Sequence, residues 1–183
     1  LLREDHPARH RIRAERFAKA MFPVHATAAF ACPKARPARL RVGYFSADFH
    51  NHATMFLMAK LFEAHDHGRF ILHGYSFGLD SRDAMRSRVQ SAFDVFHDVR
   101  ALDDKAIAEL ARGEEVDIAI DLKGYSEGSR AGILAHRAAP VQINFLGYPG
   151  TMGAPFIDYM IADRVIVPDE QRTCYSESII YLP

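Results

Sequence analysis

From Leu40 onward, short apolar runs rich in β-branched and aromatic residues alternate with stretches whose apolar residues recur every third or fourth position. "LRVGYF" (40–45) predicts a strand, and "TMFLMAKLFEAH" (54–65) a helix with Thr54 placed to cap it. "FILHGYSF" (70–77) is strand-like, "DSRDAMRSRVQSA" (80–92) helical with Asp80 or Ser81 as cap, and "FDVFHDV" (93–99) strand-like again. There follow a helix in "DDKAIAELARGEE", a strand in "VDIAIDL", a helix around "SRAGILAHR" and a strand in "VQINFLG", with "DYMIADRVIVP" and "SIIYLP" as further strands. Strand and helix alternating through short connections predict parallel strands with right-handed crossover helices on both faces. The expected fold class is α/β, a Rossmann-like, doubly wound, mostly parallel sheet.

The first 39 residues break this pattern. "RHRIRAERFAKAMFP" spaces Ile12, Phe17, Ala18, Met21 and Phe22 as one amphipathic helix within residues 1–22, expected to lie on a protein surface. Residues 23–39 carry Pro23, Pro33 and Pro37 and read as a linker, so the expected domain is 40–183. Residues 1–41 hold ten Lys/Arg against three Asp/Glu, although the whole chain has 23 of each. No aromatic or glycine-rich RNA motif accompanies the basic segment, so no nucleic-acid partner is expected. Cys32 and Cys174 lack metal-ligand spacing, and no run approaches the roughly 20 apolar residues that span a bilayer. With no signal peptide visible, the default location is the cytoplasm, without membrane contact.

Open parallel sheets bind ligands at the carboxyl ends of their strands, where loops and helix N-termini converge. Three chemically rich loops fall there. "SADFHNHAT" offers His52 just before a helix, where the positive end of the helix dipole favours a neutral imidazole able to accept a proton or a hydrogen bond. Asp48, Asn51 and Thr54 are supporting residues, and His50 is expected to diverge from His52. "DLKGYSEGSR" offers Lys123, a compact charge suited to phosphate, with Gly124, Tyr125 and Ser126; Asp117 and Asp121 on its strand point inward or belong to the sheet edge. "LGYPGTMGAP" is a rigid bend with exposed amides, drawn from Leu146, Gly147, Tyr148, Pro149, Gly150 and Thr151. The glycines at 124, 128 and 132 do not make a dinucleotide fingerprint, no P-loop lysine or G-x-S-x-G occurs, and "HNH" and "HDH" lack a carboxylate cluster of ligand spacing.

"LRVGYFSADFHNHATMFLM", "VDIAIDLKGYSEGSR", "HRAAPVQINFLGYPGTMGAPFIDYMIADRVIVP" and "YSESIIYLP" resemble, in order and spacing, the N-terminal catalytic lobe of the O-linked N-acetylglucosamine transferase family, in the form of its bacterial, tetratricopeptide-repeat-linked members and SPINDLY-like relatives. The resemblance covers residues 40–183, and the basic helix looks like the element leading in from the repeats. It implies the N-lobe of a GT-B glycosyltransferase, inverting, needing no metal or cofactor, that moves N-acetylglucosamine from UDP-GlcNAc to Ser/Thr hydroxyls of a protein or peptide acceptor. The family's "NH" histidine falls on His52, a candidate general base or acceptor-side group. The sugar and acceptor segment falls on Leu146 to Pro149. The "GYTKG" loop falls on Gly124 to Gly128, where Ser126 and Glu127 replace Thr-Lys. A C-terminal catalytic lobe holding most nucleotide contacts is expected as a partner, so that residues 1–183 alone are expected to be inactive. A protein O-fucosyltransferase using GDP-fucose and a non-catalytic protein-binding module are the alternatives.

Overall fold

The computed structural model describes residues 6–22 and 37–183. An N-terminal helix, α1 (Pro7–Met21), precedes β1 (Leu40–Ser46), α2 (Ala53–Glu63), β2 (Phe70–Ser76), α3 (Ala84–Ser91), β3 (Val95–Asp98), α4 (Asp104–Gly113) and β4 (Ile118–Asp121). The chain continues through a single turn α5 (Gly132–Ala135), β5 (Val141–Phe145), β6 (Tyr159–Ala162), a 3-10 helix (Asp169–Cys174) and β7 (Ser178–Tyr181). All seven strands are parallel, in the order β3-β2-β1-β4-β5-β6-β7. The order reverses between β1 and β4, which makes the carboxyl ends of those two strands the natural ligand crevice. Most of the linker 23–39 lies outside the described residues.

The sheet divides two cores. On one face Met55, Met58, Ala59 and Phe62 of α2 follow the 3.6-residue period onto Val42, Tyr44, Leu72, Ile120 and Ile143. Phe49, in the loop after β1, joins an aromatic cluster there with its ring centroid 5.6 Å from Phe93 and 5.3 Å from Phe96. On the other face Ile107, Ala108 and Ala111 of α4 and Ile133 and Leu134 of α5 pack over Phe45 and Tyr75.

Three local expectations are corrected. The cap of α3 is Asp83, whose carboxylate accepts the N–H of Arg86 at 2.7 Å, and not Asp80 or Ser81. The strand read through "DYMIADRVIVP" stops at Ala162, because the Asp163 carboxylate captures the N–H groups of Val165 (2.9 Å) and Ile166 (2.8 Å) in a turn. Helix α1 docks on the lobe itself, yet through Ala14 and Ala18; Ile12, Phe17 and Met21 stay about half exposed. Small residues permit close approach: a Cβ on Gly153 would sit 2.3 Å from the Glu15 backbone nitrogen. Arg11 also donates to the carbonyls of Thr173 (2.6 Å) and Tyr175 (3.2 Å).

Candidate active site

The loop between β1 and α2 is held from four sides. Phe49 anchors it in the aromatic core, Asp48 N–H donates to Ser46 Oγ at 3.0 Å, and Arg86 Nη1 donates to the Phe49 carbonyl at 3.2 Å and to Ser76 Oγ at 2.6 Å. Asn51 N–H donates to Asp83 Oδ2 at 2.9 Å. Hydrogen bonds from the Ser81 hydroxyl and then from the backbone N–H groups of Arg86 and Asn51 bring the Asp83 carboxyl down to about 2. Thus a cap of α3 also fixes the loop that carries His52.

His52 is itself the N-cap of α2. Its Nδ1 accepts the N–H of Thr54 at 3.2 Å, lies 3.2 Å from Thr54 Oγ1, and stands 3.6 Å from Asp48 Oδ2. With Nδ1 accepting, the proton of the neutral ring is on Nε2. In this arrangement Nε2 is a donor, able to bond an oxygen that approaches the crevice. His50 does not diverge as expected: residues 47–52 are not a strand, and the two rings pack edge to face with centroids 5.6 Å apart.

Across the switch point, the loop after β4 supplies Lys123. Its Nζ donates to both oxygens of Asp48, at 2.8 and 3.0 Å, and both side chains are buried. The lysine read from the sequence as a charge for phosphate is therefore closed off, and its charge is matched by Asp48. Asp121, at the end of β4, points inward and accepts the N–H groups of Lys123 (2.9 Å) and Gly124 (3.1 Å). Complete burial pushes its carboxyl up to about 6, against the opposing effects of those two N–H groups and of the Lys123 charge. Ser126 Oγ donates to the Lys123 carbonyl at 2.7 Å, which makes it a turn-former first.

The β4 and β5 loops touch directly. Gly124 has φ +51°, and a Cβ there would meet Tyr148 Cβ at 2.4 Å; a Cβ on Gly147 would meet the Leu122 carbonyl oxygen at 1.9 Å. Leu146 holds φ +69°, a conformation non-glycine residues rarely adopt. The Pro149 carbonyl accepts from the Tyr175 hydroxyl at 3.2 Å. Thr151, counted from the sequence with the substrate-binding residues, is buried and donates to Glu177 Oε2 at 2.6 Å, while Met152 N–H donates to Glu177 Oε1 at 2.7 Å. Its hydroxyl holds the loop in place.

Tyr148 forms a wall shared by two clefts. One of about 450 Å³ is lined by Arg13, Ala14, Phe17, Tyr125 and Tyr148. The other, of about 210 Å³, runs along Pro7, His10, Tyr148, Gly150, Thr151 and the 3-10 helix. The sequence signal for a site was its apolar-to-polar switch at strand ends; nothing in it disclosed that α1 would supply the opposite wall of these clefts. Arg86 and Glu177 gave no local signal of their roles, since each acts through a residue distant in sequence, whereas Asp121, which the sequence left between an inward and an edge position, turns inward onto the N–H groups two and three residues on.

A seven-stranded parallel sheet with a histidine beside its switch point and a glycine-rich third loop is a Rossmann-like lobe whose strand ends form a ligand crevice. A profile of Glycosyl transferase family 41 matches residues 5–183, and the chain belongs to that family. It is 37% identical over 145 residues to an Arabidopsis thaliana protein named probable UDP-N-acetylglucosamine–peptide N-acetylglucosaminyltransferase SEC, covering 79% of this chain and 15% of the relative. A Caenorhabditis elegans UDP-N-acetylglucosamine–peptide N-acetylglucosaminyltransferase is 36% identical, with 79% of this chain and 13% of the relative covered. A solved structure of a mutant O-GlcNAc transferase from Thermobaculum terrenum superposes with a TM-score of 0.90 at 30% identity, covering all of this chain and 35% of the other. This is a GT-B-type Rossmann-like lobe, and the chain spans under a fifth of the curated relatives it matches.

Proposed function

We propose that this chain is the N-terminal catalytic lobe of a protein O-GlcNAc transferase, moving N-acetylglucosamine from UDP-GlcNAc to Ser/Thr hydroxyls with inversion and with no metal at the reacting atoms. The observation that carries the reading is the position of His52: capping α2 at the carboxyl end of β1, beside the switch point, in a chain of family 41 whose relatives bear UDP-N-acetylglucosaminyltransferase names. In the tautomer set by its neighbours, His52 donates Nε2–H to the attacking hydroxyl oxygen and aims it. It acts as a base only if the ring releases the Thr54 N–H and carries its proton on Nδ1, facing Thr54 Oγ1 at 3.2 Å or Asp48 Oδ2 at 3.6 Å. Tyr125, Tyr148 and the Leu146 to Gly150 segment form the sugar and acceptor wall, and Lys123 and Asp121 keep that wall rigid. A second catalytic lobe, supplying most nucleotide contacts, and tetratricopeptide repeats ahead of α1 complete the working enzyme in a bacterial cytoplasm. Among the described residues no helix is long and apolar enough to cross a membrane.

The test is transfer to a Ser/Thr peptide by the full-length protein, with UDP-GlcNAc and GDP-fucose offered side by side. Transfer of N-acetylglucosamine supports the proposal. Transfer of fucose alone reassigns the donor, and no transfer of either points to a non-catalytic module.

A further inference from the structure

On the sheet face opposite α2, at the β3 edge, three metal-ligating side chains from three elements converge. His73 Nδ1 of β2 lies 3.0 Å from Glu114 Oε2, and His97 Nε2 of β3 lies 2.7 Å from Glu114 Oε1, with Glu114 at the C-cap of α4. One ligand atom from each residue lies within 4.8 Å of the other two. The rings are held in place: His97 stacks on Tyr75 with centroids 5.4 Å apart, and Tyr75 lies nearly parallel to His73 at 6.3 Å. The Tyr75 hydroxyl donates to Glu114 Oε2 and so orients the carboxylate from behind. His73 is buried, and its Nε2 has no hydrogen-bond partner, so Nδ1 on Glu114 is its sole polar anchor. His97 and Glu114 keep 28% and 23% of their side-chain surface, an entry path from solvent.

We propose that His73, His97 and Glu114 bind a divalent transition cation, Zn²⁺ first. Two imidazoles and one carboxylate are the donor set that zinc accepts, whereas magnesium and calcium need sets built from oxygen. The ion takes the place of the two N–H hydrogens now directed at the carboxylate, and one coordination position stays open to water. Ligation through Nδ1 moves the His73 proton to Nε2, where it has no acceptor. The site is therefore weaker than a closed four-ligand zinc site. Its effect is to tie β2, β3 and the end of α4 together on the face away from α2, so that it steadies the sheet edge and takes no part in sugar transfer. Spacing along the chain conceals it, since the ligands lie 17 to 41 residues apart.

The test uses untagged, chelator-treated full-length protein titrated with Co²⁺ as an optical probe and then displaced by Zn²⁺. The expected result is one saturable equivalent, read from its ligand-field bands, whose affinity falls at least tenfold in His97→Ala and in Glu114→Gln. His67→Ala, which removes an exposed histidine paired with Asp94, retains it. Added Zn²⁺ raises the Tm of the wild type and of His67→Ala only. Should His97→Ala fail to fold, X-ray absorption on the wild-type zinc form decides: two imidazole nitrogens at about 2.0–2.1 Å support the site, and fewer overturn it. Equal stoichiometry and affinity in the wild type and both ligand variants would also overturn it.

Discussion

Asp48 and Lys123, 75 residues apart in sequence, close the switch point of the sheet with a buried ion pair in which the ammonium contacts both carboxylate oxygens. The pair joins the loop that carries His52 to the loop that carries Gly124 and Tyr125. Because Asp48 also stands 3.6 Å from the His52 ring, one carboxylate bears both on the geometry of the crevice and on the tautomer of His52.

Breaking that pair by Lys123→Met leaves an unpaired buried carboxylate and should cost about 3–5 kcal/mol. Adding Asp48→Leu should recover most of the loss, since an apolar pair of similar volume has no charge to desolvate. Urea unfolding of both variants checks this. A double variant as unstable as the single one would show that the loops are held together by other contacts.

Asp121 makes a pH-dependent contribution of the opposite sign to an ordinary paired carboxylate. Its folded value, about 6, exceeds the ordinary 3.8, so the folded state keeps a proton that the unfolded chain releases between those values. Stability from this group is present at acid pH and is lost as pH rises from about 4 to about 6, by about 3 kcal/mol at most. Asp121→Asn removes the titration. The stability of the wild type relative to this variant should therefore fall between pH 4 and pH 7 in thermal melts, and a gap that grows with pH would refute the burial argument.

Gly147→Ala should be strongly destabilising, by about 2 kcal/mol or more, because the added Cβ meets a backbone carbonyl that cannot swing aside. Gly124→Ala adds strain at φ +51° and presses on Tyr148. It should raise KM for peptide acceptors more than it lowers stability. Paired melting and kinetic measurements separate the two, and an unchanged KM would remove Tyr148 from the acceptor wall.

The parallel sheet was legible because its central strands, β1, β2, β4 and β5, are short apolar runs, largely buried on both faces and separated by helix-period segments. Tyr44, Phe45, Leu72 and Ile120 lie in the core where the pattern puts them. The three loops at the carboxyl ends were legible for the same reason: Ser46, Asp121 and Phe145 mark where each run stops. What those loops do with their side chains was not, since partners such as Asp48 and Lys123 or Thr151 and Glu177 are joined only by the fold. Helix α1 misled in another way. Of the five residues that the period puts on its contact face, Ala18 is buried and Phe22 packs on Phe156 at 5.6 Å, but Ile12, Phe17 and Met21 stay about half exposed, and the buried Ala14 was not among them. The His73, His97 and Glu114 cluster required three elements to be assembled before it existed at all.

The central claim is that the His52 ring touches the reacting groups, and His52→Asn in the full-length enzyme tests it most directly. Asparagine is a good N-cap, so α2 and the fold are preserved while the ring is lost. The account predicts about a hundredfold slower transfer of N-acetylglucosamine with the Tm unchanged. Transfer within a few-fold of wild type, at equal stability, would contradict it.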